Sequence, residues 1–196
     1  MCRLVETIKV KDGYAENIFW HNLRFNTTRS ELFNMYEKSD LGNLIIVPEE
    51  YRKGEVKCRI GYGENIDFIE FETYSFRPVF SLQLVFNDHI QYDHKYRDRS
   101  HINELFAKRG KKDDILIVKN GLVSDSSYSN VVLSDGRELF TPAIPLLKGT
   151  KRAKYLFEGI IKERDIPAED IRQYKEVHLI NAFLDLGRCV ISTMDL

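Results

Sequence analysis

A chain of 196 residues suits one medium domain or two small ones, with enough length for a core that needs no staples. Its 29 Lys and Arg nearly cancel its 30 Asp and Glu, and a net charge of -1 argues against general attraction to nucleic acid or to a membrane surface. The three cysteines, Cys2, Cys58 and Cys189, lie far apart without a CxxC pair, which argues against a disulfide framework or zinc site and fits a reducing compartment.

In chain order, "RLVETIKV" (3–10) reads as a strand and "KDG" (11–13) as a turn. From His21 to about Lys38, Phe25, Leu32, Phe33 and Tyr36 recur at helical spacing and predict an amphipathic helix. "NLIIV" (43–47) reads as a short buried strand. In "EVKCRIGYG", Val56, Cys58, Ile60 and Tyr62 alternate onto one face, and "GEN" (63–65) turns the chain into "IDFIEFETY", a predicted hairpin. "VFSLQLVF" (79–86) is a further strand, and "SHINELFAKRG" (100–110) a short helix stopped by Gly110. "DDILIV" (113–118) is a strand, "GLVSDSSYSN" a loop of small polar residues, and 129–140 a hairpin turned at Asp135-Gly136. A proline-bearing loop (141–149) leads to a helix over 150–165 with Ala153, Leu156, Phe157, Ile160 and Ile161 as its core stripe. "EVHLINAFLDL" and "RCVIS" end the chain as strand-like runs.

The organisation changes around 96–112. The expected division is an N-terminal α/β lobe (1–96), an interdomain linker with a short helix (97–112) and a β-rich C-terminal lobe with a helix (113–196), an α+β chain in two lobes. No apolar run approaches the ~20 residues of a membrane span. The N-terminus lacks the apolar core of a signal peptide, so a soluble cytoplasmic protein is expected.

Lys95 stands in "DHKYRDRSHINELFAKRG", at the end of the first lobe. A lysine there is either a solvated charge or an amine able to hold an aldehyde cofactor. Such a cofactor, if it also bears a phosphate and a pyridine ring, needs a carboxylate at the ring nitrogen and an anion cradle. Arg24, Asp125 and the Gly149-Thr150 helix start are candidates. Taken singly, each is better read as a solvated arginine, an Asx turn and an ordinary N-cap. The histidines at 21, 89, 94, 101 and 178 show no metal spacing, and no G-x-S-x-G elbow, P-loop or Rossmann glycine pattern is present.

Taken in order, the segments resemble the class IV pyridoxal-phosphate enzymes, which include branched-chain and D-amino-acid aminotransferases and 4-amino-4-deoxychorismate lyase. His21-Asn22-Leu23-Arg24-Phe25 resembles the family's H-x-x-R-L helix, whose Arg holds the cofactor phosphate. Lys95 matches the Schiff-base lysine. Residues 123–130, Val-Ser-Asp-Ser-Ser-Tyr-Ser-Asn, match the V-x-E-G-S-x-S-N loop. There Asp125 stands for the carboxylate that meets the ring nitrogen, and Ser127, Ser129 and Asn130 are likewise implied to bind the cofactor. Gly149-Thr150-Lys151-Arg152 matches the G-I-T-R helix start that binds phosphate, and Glu176–Ala182 matches a late strand whose Asn181-Ala182 end faces substrate. The likeness runs from about residue 4 to 192. The chain departs from the family at Asp125 for Glu, Ser126 for Gly and Lys151 for the phosphate-binding Thr, and its first lobe is short.

The resemblance implies a two-lobed D-amino-acid aminotransferase-like fold (fold type IV) with a reduced N-terminal lobe. It implies pyridoxal 5′-phosphate as cofactor, Lys95 as the catalytic acid/base, an amine or amino acid as substrate, and a homodimer. The Asn181-Ala182 pair resembles the lyase, so pyruvate-releasing lyase chemistry is expected. The alternatives are an aminotransferase for branched-chain or D-amino acids, and a protein that has kept the fold and lost turnover.

Overall fold

On β1 (Leu4–Lys11), successive side chains alternate between faces, and Leu4, Glu6, Ile8 and Val10 share one of them. All four are fully buried, the glutamate included. The computed structural model in which this is seen describes residues 3–196; Cys2 lies outside the described residues, while Cys58 and Cys189 are buried free thiols. The chain divides into two units, one formed by the chain up to Phe76 with His94–Asp98, the other by Arg77–Asp93 and Arg99–Leu196.

The first unit is an antiparallel sheet. Its order is β2 (Tyr14–Ala15), β1, β3 (Glu55–Tyr62), β4 (Ile66–Thr73). The predicted hairpin is present, and Val56, Cys58, Ile60 and Tyr62 are all core residues. Helix α1 (Ile18–Phe33) covers this face and sets the Phe25 ring 4.7 Å from that of Tyr62. It starts earlier than predicted and stops at Asn34, which takes the left-handed conformation that ends many helices, so Tyr36 lies outside the helix and exposed. The strand expected at 43–47 does not form. One helical turn, α2 (Leu41–Leu44), replaces it, because Asp40 accepts from the Gly42 amide and Asn22 from the Leu41 amide at 2.8 Å each. Ile46 is left exposed.

The second unit contains β5 (Leu82–Phe86), α3 (Ser100–Phe106), β6 (Asp114–Lys119), β7 (Leu122–Ser126), β8 (Asn130–Ser134) and β9 (Leu139–Pro142). These are followed by α4 (Thr150–Phe157), β10 (Lys162–Arg164), β11 (Glu176–Ile180) and β12 (Val190–Ser192). The sheet order is β10-β9-β8-β7-β6-β5, with β11 joining β8 to β12. β5 runs parallel to β6 and β10 to β9; the other pairs are antiparallel. Ile115–Val118 of β6 and Val131–Leu133 of β8 are buried on both faces, as continuous apolar runs in a covered sheet should be.

Three sequence expectations change here. The helix expected over 150–165 ends at Phe157, because Gly159 takes a positive φ of 69° and the chain then pairs beside β9. Of its expected stripe, Ile161 is buried but Phe157 is 82% exposed; the buried face carries Thr150, Lys151, Arg152 and Tyr155. The expected polar loop around Asp125 is instead the end of β7, buried and closed by a tight turn in which the Ser126 amide donates to the Ser129 carbonyl at 2.9 Å. The division also differs from the expected one. The strand near 79–86 and the helix at 100–106 belong to the second unit, since β5 is hydrogen-bonded to β6. Residues 94–98 return to the first, where the Lys95 carbonyl accepts from Val5 N at 3.0 Å and Arg97 N donates to the Arg3 carbonyl at 2.9 Å. No helix among the described residues is long and apolar enough to cross a membrane.

Candidate active site

The predicted site residues fall into one cluster in each unit. In the first, His21 and Arg24 lie one turn apart on α1 and meet Glu6 on β1. Glu6 Oε1 accepts from Arg24 Nε at 2.8 Å, and Oε2 accepts from Arg24 Nη2 and from His21 Nδ1, both at 2.6 Å. Burial by itself would raise the Glu6 pKa. The Arg24 charge and the hydrogen bonds from His21 and Arg24 outweigh burial and hold it at about 2. Burial lowers His21 below its ordinary range despite the Glu6 partner, and the charges of Arg24 and Lys95 push the same way, so the imidazole is neutral at pH 7. Lys95 is therefore close enough to act on His21 electrostatically. Its backbone lies beside β1, and the next residue, Tyr96, forms an isolated bridge to Leu4.

The second cluster is built on the β7–β8 turn. Asp125 and Asn130 face each other across the two strands, and Asn130 Nδ2 donates to Asp125 Oδ1 and to the Leu147 carbonyl, 2.8 Å each. Asp125 Oδ2 accepts from the Leu147 amide at 3.0 Å. These are amide donors without formal charge. Burial dominates and lifts Asp125 to about 6, against the Asn130 and Leu147 bonds and the Arg152 charge. Gly149, the N-cap of α4, packs on the same amide: a Cβ there would lie 1.9 Å from Asn130 Oδ1. The helix start carries no side-chain cap. Ser129 Oγ accepts from Asn181 Nδ2 at 2.9 Å, while Asn181 Oδ1 takes the Phe183 and Leu184 amides at 2.8 and 3.0 Å, with Ala182 partly buried in that turn. Ser127 is buried and its carbonyl accepts from Arg99 Nη2 at 2.6 Å.

Thus Lys95 and Arg24 share one cluster, and Asp125, Asn130 and Gly149 share the other. Lys151 is drawn elsewhere: its buried ammonium pairs with Asp185, which also accepts from the Tyr155 hydroxyl at 3.2 Å. Arg152 braces the fold, donating to the Pro142 carbonyl at 2.8 Å and to Glu163 at 2.7 Å. Sequence reasoning missed Glu6, Arg99 and Asp185. Glu6 had a signal, a carboxylate at a core-face position between Leu4 and Ile8. Arg99, whose guanidinium lies 4.0 Å from the Tyr128 ring centroid, had none.

Known proteins share this arrangement of strands and helices. The family model described as amino-transferase class IV matches residues 91–190. An uncharacterised protein of Haemophilus influenzae is 39% identical over 184 residues, 93% of this chain and 98% of that one. The crystal structure of a candidate 4-amino-4-deoxychorismate lyase from Haemophilus somnus is 33% identical, with a TM-score of 0.87, and the match covers 95% of this chain and 98% of that chain. A hypothetical aminotransferase from Mycobacterium tuberculosis in a PLP-bound form shares the fold at 16% identity and TM-score 0.74, over 100% of this chain and 82% of its own.

Proposed function

Because the chain belongs to the class IV aminotransferase family and has its fold in a short form, we propose that it is a pyridoxal 5′-phosphate-dependent enzyme acting as a 4-amino-4-deoxychorismate lyase. The observation that carries the lyase reading is the near full-length likeness to the Haemophilus somnus protein, a chain of almost the same extent.

The residues suit the cofactor. Arg24 offers a guanidinium held in place by Glu6, Thr150 opens a helix with no side-chain cap, and Lys95 supplies a primary amine beside β1. Asp125 is a buried carboxylate held by the Asn130 side-chain amide and the Leu147 amide. When bound, the group supplies an aldehyde that condenses with amines and a ring that draws electrons from the substrate Cα. We assign phosphate-binding roles to Arg24 and, separately, to the Gly149-Thr150 amides. Lys151 is given no direct part, since Asp185 takes its charge. Lys95 would supply the primary amine that holds the group's aldehyde, and its Nζ would serve as the acid/base for the substrate Cα proton. Asp125 would keep a proton on the ring nitrogen, with the Asn130 side chain and the Leu147 amide holding Asp125 in place. Loss of pyruvate from aminodeoxychorismate then leaves the aromatic 4-aminobenzoate. We place the enzyme in the cytoplasm as a homodimer.

The test is spectroscopic first. The purified protein should show an imine band in the near-visible, and borohydride should fix the cofactor covalently on the peptide containing Lys95. A colourless protein, or Lys95→Ala with unchanged cofactor content, would overturn the reading. Aminodeoxychorismate should then yield 4-aminobenzoate faster than branched-chain or D-amino acids yield glutamate from 2-oxoglutarate. Glutamate without 4-aminobenzoate would favour an aminotransferase; a coloured protein silent in both assays would favour a fold that has lost turnover.

A further inference from the structure

We propose that Glu6 is a positioning residue that turns the Arg24 guanidinium into an oriented donor for a phosphate monoester; this rests on the assignment of Arg24 to the cofactor phosphate made above. An arginine tethered only by its own side chain samples many rotamers and loses that freedom when it grips a ligand. Here the loss is met in advance. Two nitrogens of the fork, Nε and Nη2, are held by two oxygens of one carboxylate at 2.8 and 2.6 Å, which fixes both the direction and the plane of the group. The carboxylate is itself immobile. It sits on a strand, has no exposed surface, and is held a third time by His21 Nδ1 at 2.6 Å. One strand residue thus grips both members of the His21–Arg24 pair on α1.

The charge balance makes orientation the reason for this arrangement. Ionised Glu6 and Arg24 sum to zero and His21 adds nothing, so Glu6 removes a unit of positive charge from a place assigned to an anion. Coulomb attraction alone would favour its absence, and an apolar residue would fill the core without desolvating a carboxylate. Replacing Glu6 with Gln therefore has two opposed effects on phosphate binding. The site gains net positive charge, which strengthens it. Arg24 loses its two-point grip, which weakens it.

The experiment measures affinity rather than turnover. Pyridoxal 5′-phosphate and pyridoxal, which lacks the phosphate, are titrated into full-length wild type and Glu6→Gln and followed by absorbance. The proposal expects Glu6→Gln to bind the phosphorylated cofactor about tenfold more weakly, the scale of one charge-assisted hydrogen bond, with pyridoxal affinity unchanged. Unchanged or tighter binding of the phosphorylated form, in a protein whose wild type prefers it over pyridoxal, would overturn the positioning role alone. A wild type without that preference would overturn the Arg24 assignment and the proposal with it. Should Glu6→Gln lack a cooperative thermal transition, Arg24→Lys decides, since it keeps the charge and discards the fork. A comparable, phosphate-specific loss supports the proposal and undiminished affinity overturns it.

Discussion

The two units each bury a carboxylate, and each does it differently. Glu6 is met by a guanidinium and an imidazole, and its acidity is pushed far down. Asp125 is met by a side-chain amide and a backbone amide, and its acidity is pushed up to about 6. Both groups are fully enclosed, so depth does not separate them. The charge of the donors does: a formal positive charge within hydrogen-bond distance outweighs desolvation, and neutral N–H dipoles do not. One carboxylate is a fixed anion at any physiological pH. The other titrates close to neutrality and can respond to a ligand that brings a proton.

The largest test of that contrast is stability. Glu6→Gln leaves a partly buried arginine without its counter-charge and should cost about 3 kcal/mol in urea denaturation. Asp125→Asn keeps one acceptor oxygen for its donors and removes a buried charge, so about 1 kcal/mol is expected. Equal losses would erase the distinction.

The pH dependence should sharpen it. Glu6 is depressed from its ordinary 4.5 to about 2, so its contribution is full above about pH 4.5 and is lost as pH falls toward 2. His21, lowered from 6.5, acts in the same direction: the unfolded chain takes the proton more readily, so stability falls as pH drops below 6.5. Asp125 has the opposite sign. Raised from 3.8 to about 6, it stabilises the fold while protonated and loses that contribution as pH climbs through 6. The stability of Asp125→Asn relative to wild type should therefore improve by roughly 2–3 kcal/mol between pH 4 and pH 7. A flat difference would mean that Asp125 is not perturbed.

A third test concerns how the second carboxylate is held. In Gly149→Ala the new methyl meets Asn130 Oδ1, whose amide is already bonded to Asp125 and Leu147 and cannot swing away freely. Overpacking of this kind costs about 1–2 kcal/mol, read as a fall in Tm, and should also shift the Asp125 titration. The first unit, which lacks this contact, should be unaffected in local hydrogen exchange.

Much of the first unit was legible in the sequence because strand alternation there is uninterrupted. Val56, Cys58, Ile60 and Tyr62 are all fully or nearly fully buried, as their spacing implies. Residues 43–47 misled because an apolar run alone cannot tell a strand from a capped turn; Asp40 and Asn22 decide the matter through bonds that composition does not show. The C-terminal half of the expected helix failed at Gly159, a breaker outweighed in the reading by the apolar stripe on either side. For the candidate site, the motif order pointed to Arg24, Lys95, Asp125 and the Gly149 turn. It did not show what each already touches. Partners such as Glu6 and Asp185 are set by tertiary packing, and only Glu6, a charge on a core face, left a trace in one dimension.

The return of residues 94–98 to the first unit has a consequence for the order in which the protein can be made. During synthesis, β1 through β4 leave the ribosome long before Lys95, so the first unit waits for a distant segment before its bonds to Val5 and Arg3 can close. Meanwhile β5 has emerged and its parallel partner β6 has not. For that interval the nascent chain displays an unpaired strand edge, the kind of surface that recruits neighbouring chains or a chaperone. A fragment cut at Phe76 would keep every strand of the first sheet and still lack the segment that carries Lys95.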